Sequence, residues 1–187
     1  MSPSPSEGSA PGAEGSPADH FERLGQPRRW GLDRDALEAA YLARAQQWHP
    51  DRFVDAPPGQ QRQAMERSAA LNEGYRVLRD PVRRAEYLCR LGGIDVDSSE
   101  PGTGAPPMEQ AFLVEMIERR EQVADARAEG DAALDQLRAA VEDELDEALD
   151  EAVAALEAGA TPSAARALVR RRYLQRLVDE IEGTPER

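Results

Sequence analysis

Residues 33–53 read DRDALEAAYLARAQQWHPDRF, and this stretch decides the fold of the first half of the chain. Asp33 is suited to begin a helix, because its carboxylate can accept hydrogen bonds from first-turn amides. Pro50 ends that helix, because proline disfavours helical geometry at the residue before it. The stretch therefore predicts an amphipathic helix that stops at a His49-Pro50-Asp51 turn. Its buried face is predicted from apolar side chains at helical spacing: Leu37, Tyr41, Ala45 and Trp48.

Three further helices are expected around this one. A short apolar turn, His20 to Leu24, precedes it, and a loop with Pro57-Pro58-Gly59 leads to a partner helix. Asp80-Pro81 should end that partner and begin the next helix, with Asp as the N-cap and Pro at the first helical position. Gly92 should end the last one. The apolar stripes of these helices are Ala64, Ser68, Leu71, Tyr75 and Leu78, then Ala85, Leu88 and Leu91.

The second half predicts three longer helices that pack as an antiparallel bundle. The first starts at Pro107 and runs to Gly130, the second ends at Gly159, and Thr161-Pro162 opens the third. No segment alternates apolar and polar residues over a strand length, so we predict an all-α fold without a sheet. The expected buried positions of the third helix are Ala165, Val169, Tyr173, Leu177 and Ile181.

Composition shifts suggest how the chain is divided. Residues 1–18 are rich in Ser, Pro and Gly and are expected to be a disordered tail. Residues 19–94 form the first helical unit and 107–187 the three-helix unit. Between them, the breaker-rich stretch from Gly92 to Pro107 indicates a linker at 95–106 or a long ordered connection.

Charge, hydropathy and cysteine content argue against several classes of function and location. Residues 95–187 carry 10 Arg against 23 acids, and such a surface repels nucleic acid. No run of about 18 apolar residues is present, so no membrane span is expected, and the N-terminus does not resemble a secretory signal. Cys89 is the one cysteine, which favours a buried thiol and a cytoplasmic protein.

The His49-Pro50-Asp51 turn carries the functional prediction. Pro50 fixes the turn, His49 can offer a ring nitrogen, and Asp51 can accept donors such as an arginine's paired N–H groups. A capped helix, this tripeptide, a loop, the helix with LNEGYRVL (71–78) and an Asp-Pro helix follow the order of a J-domain.

The chain as a whole resembles the HscB family of iron–sulfur co-chaperones over about residues 19–182. The resemblance rests on residues 19–53 and on SAALNEGYRVLRDPVRRAEYLCRLGG (68–93), FLVEMIERREQV (112–123) and RRRYLQRL (170–177). It implies an N-terminal J-domain that stimulates the ATPase of an HscA or DnaK-type chaperone. It also implies a C-terminal three-helix domain, of the type called HscB C-terminal oligomerisation, that binds the scaffold protein IscU and delivers it.

The resemblance also implies two sites. The chaperone-binding site comprises His49, Pro50 and Asp51, with Arg44 and Arg52 as electrostatic contributors. Arg52 stands where many relatives have lysine, and the two are not equivalent at a bidentate contact. Val114 and Tyr173 stand where some relatives have methionine and phenylalanine. The scaffold-binding site comprises Leu113, Val114, Ile117, Glu118, Arg120, Glu121 and Tyr173.

The residues themselves support an exposed patch at the second site. Five apolar residues occur within six positions, 112–117, and they wrap too much of a helix for all to face inward. Some of them should therefore be exposed, and an exposed apolar cluster favours partner binding. Glu118 and Glu121 would supply its polar rim.

No enzymatic or metal chemistry is predicted. His20, His49 and Cys89 lack ligand spacing, and the chain contains no phosphate loop, nucleophile elbow or HExxH motif, so we expect no catalytic residue, metal or cofactor. The acidic run 142–151 is interpreted as a solvated helix face. Three alternatives remain: a J-domain co-chaperone with another client, a helical enzyme, and a passive structural protein.

Overall fold

A computed structural model describes residues 18–98, 100 and 102–183 of the chain. All of the regular structure in these residues is helical, with one isolated bridge between Asp95 and Gly104, and the predicted all-α fold is confirmed. The tail predicted for residues 1–18 lies, apart from Ala18, outside the described residues. The α-helices are α1 (His20–Leu24), α2 (Arg34–Gln47), α3 (Pro58–Arg79), α4 (Pro81–Leu91), α5 (Gln110–Glu129), α6 (Asp131–Glu157) and α7 (Thr161–Ile181).

Capping side chains set most of the helix starts in the first half. Asp33 Oδ1 accepts from the Ala36 amide at 2.9 Å, as predicted for α2. Asp80 Oδ1 accepts from two first-turn amides of α4 at 2.9 and 3.0 Å. No side chain caps α5, and that helix begins at Gln110 rather than at the predicted Pro107.

The first half encloses a core of α1, α2 and α3. Its fully buried members are Phe21, Leu24, Leu37, Leu71 and Leu78. Tyr41 and Tyr75 stack at 4.2 Å between ring centroids and join α2 to α3. The two helices therefore form a hairpin, and the connection between them lies at one end of this unit.

The second half forms a bundle in which α7 packs against α5 and α6. Its core cluster includes Met116, Val123, Val141, Leu145, Leu174 and Leu177. The predicted buried stripe of α7 is partly wrong: Val169 and Tyr173 are half-buried, whereas Leu168, Leu174 and Val178 are buried. The reason is that α7 also packs against α4 of the first half, so two of its faces are covered.

The two halves share a core where α4 meets α6 and α7. Ala85 and Cys89 of α4 are fully buried against Ala164, Ala165 and Leu168 of α7. Small side chains permit close helix packing, because interaxial distance depends on the residues at the contact. Gly92 is needed at the edge of this contact, because a Cβ there would lie 2.8 Å from Thr161 Cγ2.

Polar bonds reinforce this shared core. Arg172 of α7 donates to Glu86 Oε1 of α4 at 2.7 Å and to the Val96 carbonyl at 2.9 Å. Arg172 Nη1 also lies 2.7 Å from Asp97 Oδ1. Val96 is itself buried in the shared core, and Asp95 bonds back to Thr103 at 2.7 Å. Residues 95–97 of the connection are thus held against both halves, by Arg90 of α4 and Arg172 of α7.

Cys89 should report opening of the shared core. Burial raises the pKa of its thiol to about 11, so the native thiol is both covered and protonated near neutral pH. We predict that the native thiol reacts slowly with a disulfide reagent such as DTNB. The reaction should be about fivefold faster in Arg172→Ala, since a partly exposed ion pair contributes about 1 kcal/mol. Arg166→Ala, on the same helix, is the control. Equal rates for all three proteins would show that Arg172 does not hold the halves together.

His20 should make the stability of the first half depend on pH. Burial, and secondarily Arg23, lower the pKa of His20 from its ordinary 6.5, while Glu73 and Asp19 oppose this more weakly. Its ring stacks on Tyr87 at 4.3 Å, and its Nδ1 lies 3.2 Å from the Arg23 guanidinium, which can only donate. The native state therefore favours the neutral ring.

The sign of the effect follows from proton uptake. Below pH 6.5 the unfolded chain protonates His20 before the folded one does, so the free energy of unfolding should fall as the pH drops from 7.5 to 5.5. Urea unfolding at both pH values measures this. In His20→Phe, which retains an aromatic ring, the fall should be smaller. An unchanged fall in that variant would assign the effect to other groups.

Candidate functional site

The turn after α2 is closed by His49 itself. Pro50 to Phe53 form one turn of 3₁₀ helix, and His49 Nδ1 accepts from the Asp51 amide at 3.3 Å as its N-cap. The proline supplies a fixed φ and has no amide to leave unpaired. The tripeptide therefore sets its own conformation, and one ring nitrogen of His49 is used in doing so.

The functional groups of this turn are exposed. The His49 side chain is 58% accessible and that of Asp51 is 85%, with Asp51 Oδ2 lying 3.6 Å from His49 Nδ1. Within the described part of the chain, His49 Nε2 has no hydrogen-bond partner. The turn thus presents a ring nitrogen and a carboxylate side by side, both available to a partner protein.

Aromatic side chains brace the turn from behind. Trp48 and Phe53, on either side of it, stack at 6.1 Å between centroids with their planes 7° apart. Arg67 of α3 covers Trp48, its guanidinium carbon 4.1 Å from the ring centroid. Trp48 and Phe53 flank the tripeptide in the sequence, but their stacking was not among the predictions.

The two predicted accessory arginines lie in different settings. Arg52 belongs to the turn and is exposed. Arg44 is half-buried, and its guanidinium donates to the Ala40 carbonyl at 3.4 Å and lies against Gly25, where it occupies the space of a Cβ. The structure therefore groups Arg52 with His49, Pro50 and Asp51, while Arg44 braces α2 against the end of α1.

The second candidate surface lies on α5. Leu113, Val114 and Ile117 are 39%, 48% and 62% exposed, whereas Met116 is buried. The expectation that the apolar run at 112–117 cannot be wholly buried is confirmed. Leu113, Val114 and Ile117, at i, i+1 and i+4, are neighbours on the outside of α5 and form one exposed apolar patch.

Four of the predicted scaffold-site residues line one groove between α5 and α7. The groove has a volume of about 230 Å³ and is lined by Leu113, Met116, Ile117, Arg120, Tyr173, Arg176 and Leu177. Val114, Glu118 and Glu121 are exposed but lie outside this lining, in a neighbouring stripe at i, i+4 and i+7 of α5. The predicted patch thus comprises two adjacent faces.

Tyr173 is fixed within the groove. The Phe112 ring meets it edge-on at 5.6 Å and 88°, and the Arg176 guanidinium carbon lies 5.5 Å from its centroid. Such edge-on packing and cation–π contact hold a half-buried ring in one orientation. Sequence reasoning named Tyr173 but placed neither Met116 nor Leu177 in the groove.

The remaining side-chain chemistry is sparse. Among the residues that the structure describes, no group of three or more His, Cys, Asp or Glu could hold a metal ion. The described helices include none that is long and apolar enough to cross a membrane.

Two known domain families each match one part of the chain. Residues 19–87 match the DnaJ domain, and residues 108–182 match the HSCB C-terminal oligomerisation domain. The chain is 40% identical to the "Co-chaperone protein HscB homolog" of Burkholderia multivorans over 169 residues, covering 90% of this chain and 94% of that one. The Burkholderia mallei homologue is 41% identical with the same coverage.

Solved structures agree with this result. The chaperone HscB from Vibrio cholerae superposes with a TM-score of 0.73 at 28% identity, covering 89% of this chain and 96% of that one. The human co-chaperone protein HscB gives a TM-score of 0.74 at 25% identity, with 92% and 83% covered. Both halves are thus found together in solved relatives.

The exposure of α5 leads to a stability prediction. Ile117→Ser should change the free energy of unfolding by about 0.5 kcal/mol or less, because its side chain already faces water. Leu174→Ala, in the fully buried bundle core, should cost about 2–5 kcal/mol. Urea unfolding compares the two. A loss above about 2 kcal/mol for Ile117→Ser would mean that Ile117 is part of the core.

Proposed function

The chain belongs to the HscB family of J-domain co-chaperones, and we propose that it stimulates the ATPase of an HscA or DnaK-type chaperone while presenting an IscU-type iron–sulfur scaffold protein to it. The observation that carries this proposal is the pairing of two exposed contact sites on one chain. One is the His49-Pro50-Asp51 turn, and the other is the α5–α7 groove.

The chaperone contact is assigned to the turn. Asp51, highly exposed, can accept a bidentate pair of bonds from an arginine of the chaperone, and His49 Nε2 can bond beside it. Arg52 adds a cation at the same edge, and Arg44 contributes through the placement of α2. The turn is set before binding, so little conformational entropy is lost when the chaperone docks.

The scaffold contact is assigned to α5 and α7. Leu113, Ile117 and Tyr173 offer apolar surface in the groove, and Val114 extends it onto the next stripe. Glu118, Glu121 and Arg120 surround this surface with charge, in the manner of an interface rim. The iron–sulfur cluster is cargo of the scaffold in this proposal, and this chain supplies no ligand to it.

In the proposed mechanism, the shared core holds the two contact sites in a fixed relation. Because α4 packs against α7, a scaffold bound at the groove is held at a restricted position relative to the turn. Joining the two contacts in one chain raises the effective concentration of scaffold at the chaperone. The co-chaperone acts by contact rather than by catalysing a reaction, and we place it in the cytoplasm.

Separation of the two contacts tests the proposal. His49→Gln should abolish stimulation of the chaperone's ATPase, because Gln lacks the ring that caps the turn, and should leave scaffold binding within about twofold of wild type. Ile117→Ser should do the reverse and weaken scaffold binding by about tenfold, since about 1.4 kcal/mol of apolar contact is lost. Steady-state ATPase assays and calorimetry measure the two effects.

Two control variants accompany the test. Asp55→Asn changes an exposed carboxylate just beyond the turn, and Leu42→Ser removes an aliphatic side chain that is 52% exposed on α2. Asp55→Asn should leave ATPase stimulation unchanged, and Leu42→Ser should leave scaffold binding unchanged. Loss of both activities in His49→Gln with the fold preserved would contradict the separation. ATPase stimulation without any scaffold binding by the wild type would favour a co-chaperone with another client.

A further inference from the structure

The α5–α7 groove has the size and polarity for one or two side chains of a protein partner. Its volume of about 230 Å³ falls below the roughly 300–1,000 Å³ of small-molecule pockets. Leu113, Met116, Ile117 and Leu177 make its lining largely apolar. An aliphatic side chain is therefore the natural occupant of the groove itself.

The groove is lined by positive charge, whereas the second half of the chain as a whole is acidic. Residues 95–187 carry 23 acids against 10 arginines, yet both charged residues that line the groove, Arg120 and Arg176, are arginines. Arg120 is engaged by Glu180, with Nε and Oε2 3.5 Å apart. Within the described part of the chain, no carboxylate lies within 4.0 Å of Arg176.

Position at the groove distinguishes Arg176 from the other arginines of the second half. Arg119, Arg138, Arg170 and Arg172 each have a carboxylate within 4.0 Å. Among the described residues Arg127, Arg166 and Arg171 have none, but they do not line the groove. Arg176 instead lies over the Tyr173 ring, which keeps its guanidinium at the groove while leaving the residue exposed. A cation held in place beside an apolar groove, without an internal partner, is complementary to a carboxylate on a docking protein.

We infer that Arg176 sets the specificity of this groove, which accepts a segment of the scaffold protein that carries an aliphatic side chain next to a carboxylate. The aliphatic side chain enters between Leu113 and Tyr173, and the carboxylate bonds to the Arg176 guanidinium. This inference rests on the proposed function, because it concerns how the scaffold docks at the same site. Arg176 was not among the scaffold-site residues predicted from the sequence.

Charge reversal at Arg176 tests the inference. The probe is a purified apo IscU-type scaffold protein, titrated calorimetrically into the full-length chain. Arg176→Glu should weaken binding by more than tenfold, and Arg176→Gln by about threefold to tenfold, with an affinity that depends less on salt between 50 and 500 mM than that of wild type. Arg166→Glu is the matched control: Arg166 is an exposed arginine of the same helix outside this groove, and its reversal should change affinity by less than twofold.

A second arm identifies the partner group. Lysine replacements of exposed carboxylates on the scaffold should include one that weakens binding to wild type but restores at least part of the affinity for Arg176→Glu. Equal affinities of Arg176→Glu and Arg166→Glu, or no such compensating replacement, would overturn the inference while leaving the proposed function intact. No binding by the wild-type chain would overturn both.

A second copy of this chain is the other conceivable occupant. Sedimentation velocity of the co-chaperone alone at about 50 µM should show a monomer, for wild type and Arg176→Glu alike. A dimer that Arg176→Glu dissolves would make the groove a contact between copies, and the inference would be wrong.

Discussion

The close packing of α4 against α7 is the constraint on which the rest of the arrangement depends. Alanines and one buried thiol at this contact let the helices approach, and Gly92 leaves room for Thr161 at its edge. Arg172 then bonds Glu86 across the contact, and both side chains are largely covered. Removing either partner would leave a partly buried charge without its bonds, which is costly. The contact thus fixes the orientation of the two halves as well as stabilising them.

The packing of α4 against α7 connects two sites, the turn and the groove, whose own conformations are set by local contacts. The His49-Pro50-Asp51 turn takes its conformation from one hydrogen bond and a proline, with the stack of Trp48 and Phe53 behind it. The groove takes its conformation from Phe112, Tyr173 and Arg176. Because α7 contributes both Arg172 and Tyr173, the same helix holds the first half and lines the groove. The positions of the groove and of the turn are therefore linked through α7.

Local rules predicted the fold well, and long-range packing accounts for what they missed. The caps Asp33 and Asp80 and the break at Pro50 are readable because their effects extend only a few residues. The buried residues of α7 were harder to predict from the sequence. One periodic apolar stripe cannot show that a helix packs against other helices on two of its faces. Cys89 was correctly expected to be buried, but its neighbours across the chain, Ala164 and Ala165, could not be named from spacing. The resemblance to HscB named Tyr173; only the folded groove places Arg176 beside it.

The proposed function requires that both contacts lie on one molecule. An equimolar mixture of His49→Gln and Ile117→Ser tests this directly, because the mixture contains an intact copy of each site on separate chains. The readout is the extra ATPase stimulation that the chaperone gains when scaffold is added at concentrations near its affinity for the co-chaperone. The mixture is expected to gain less than about a fifth of the wild-type increment, because the chain that keeps the turn intact binds scaffold about tenfold more weakly. Recovery of the full increment by the mixture would contradict this requirement and would mean that the two contacts act independently.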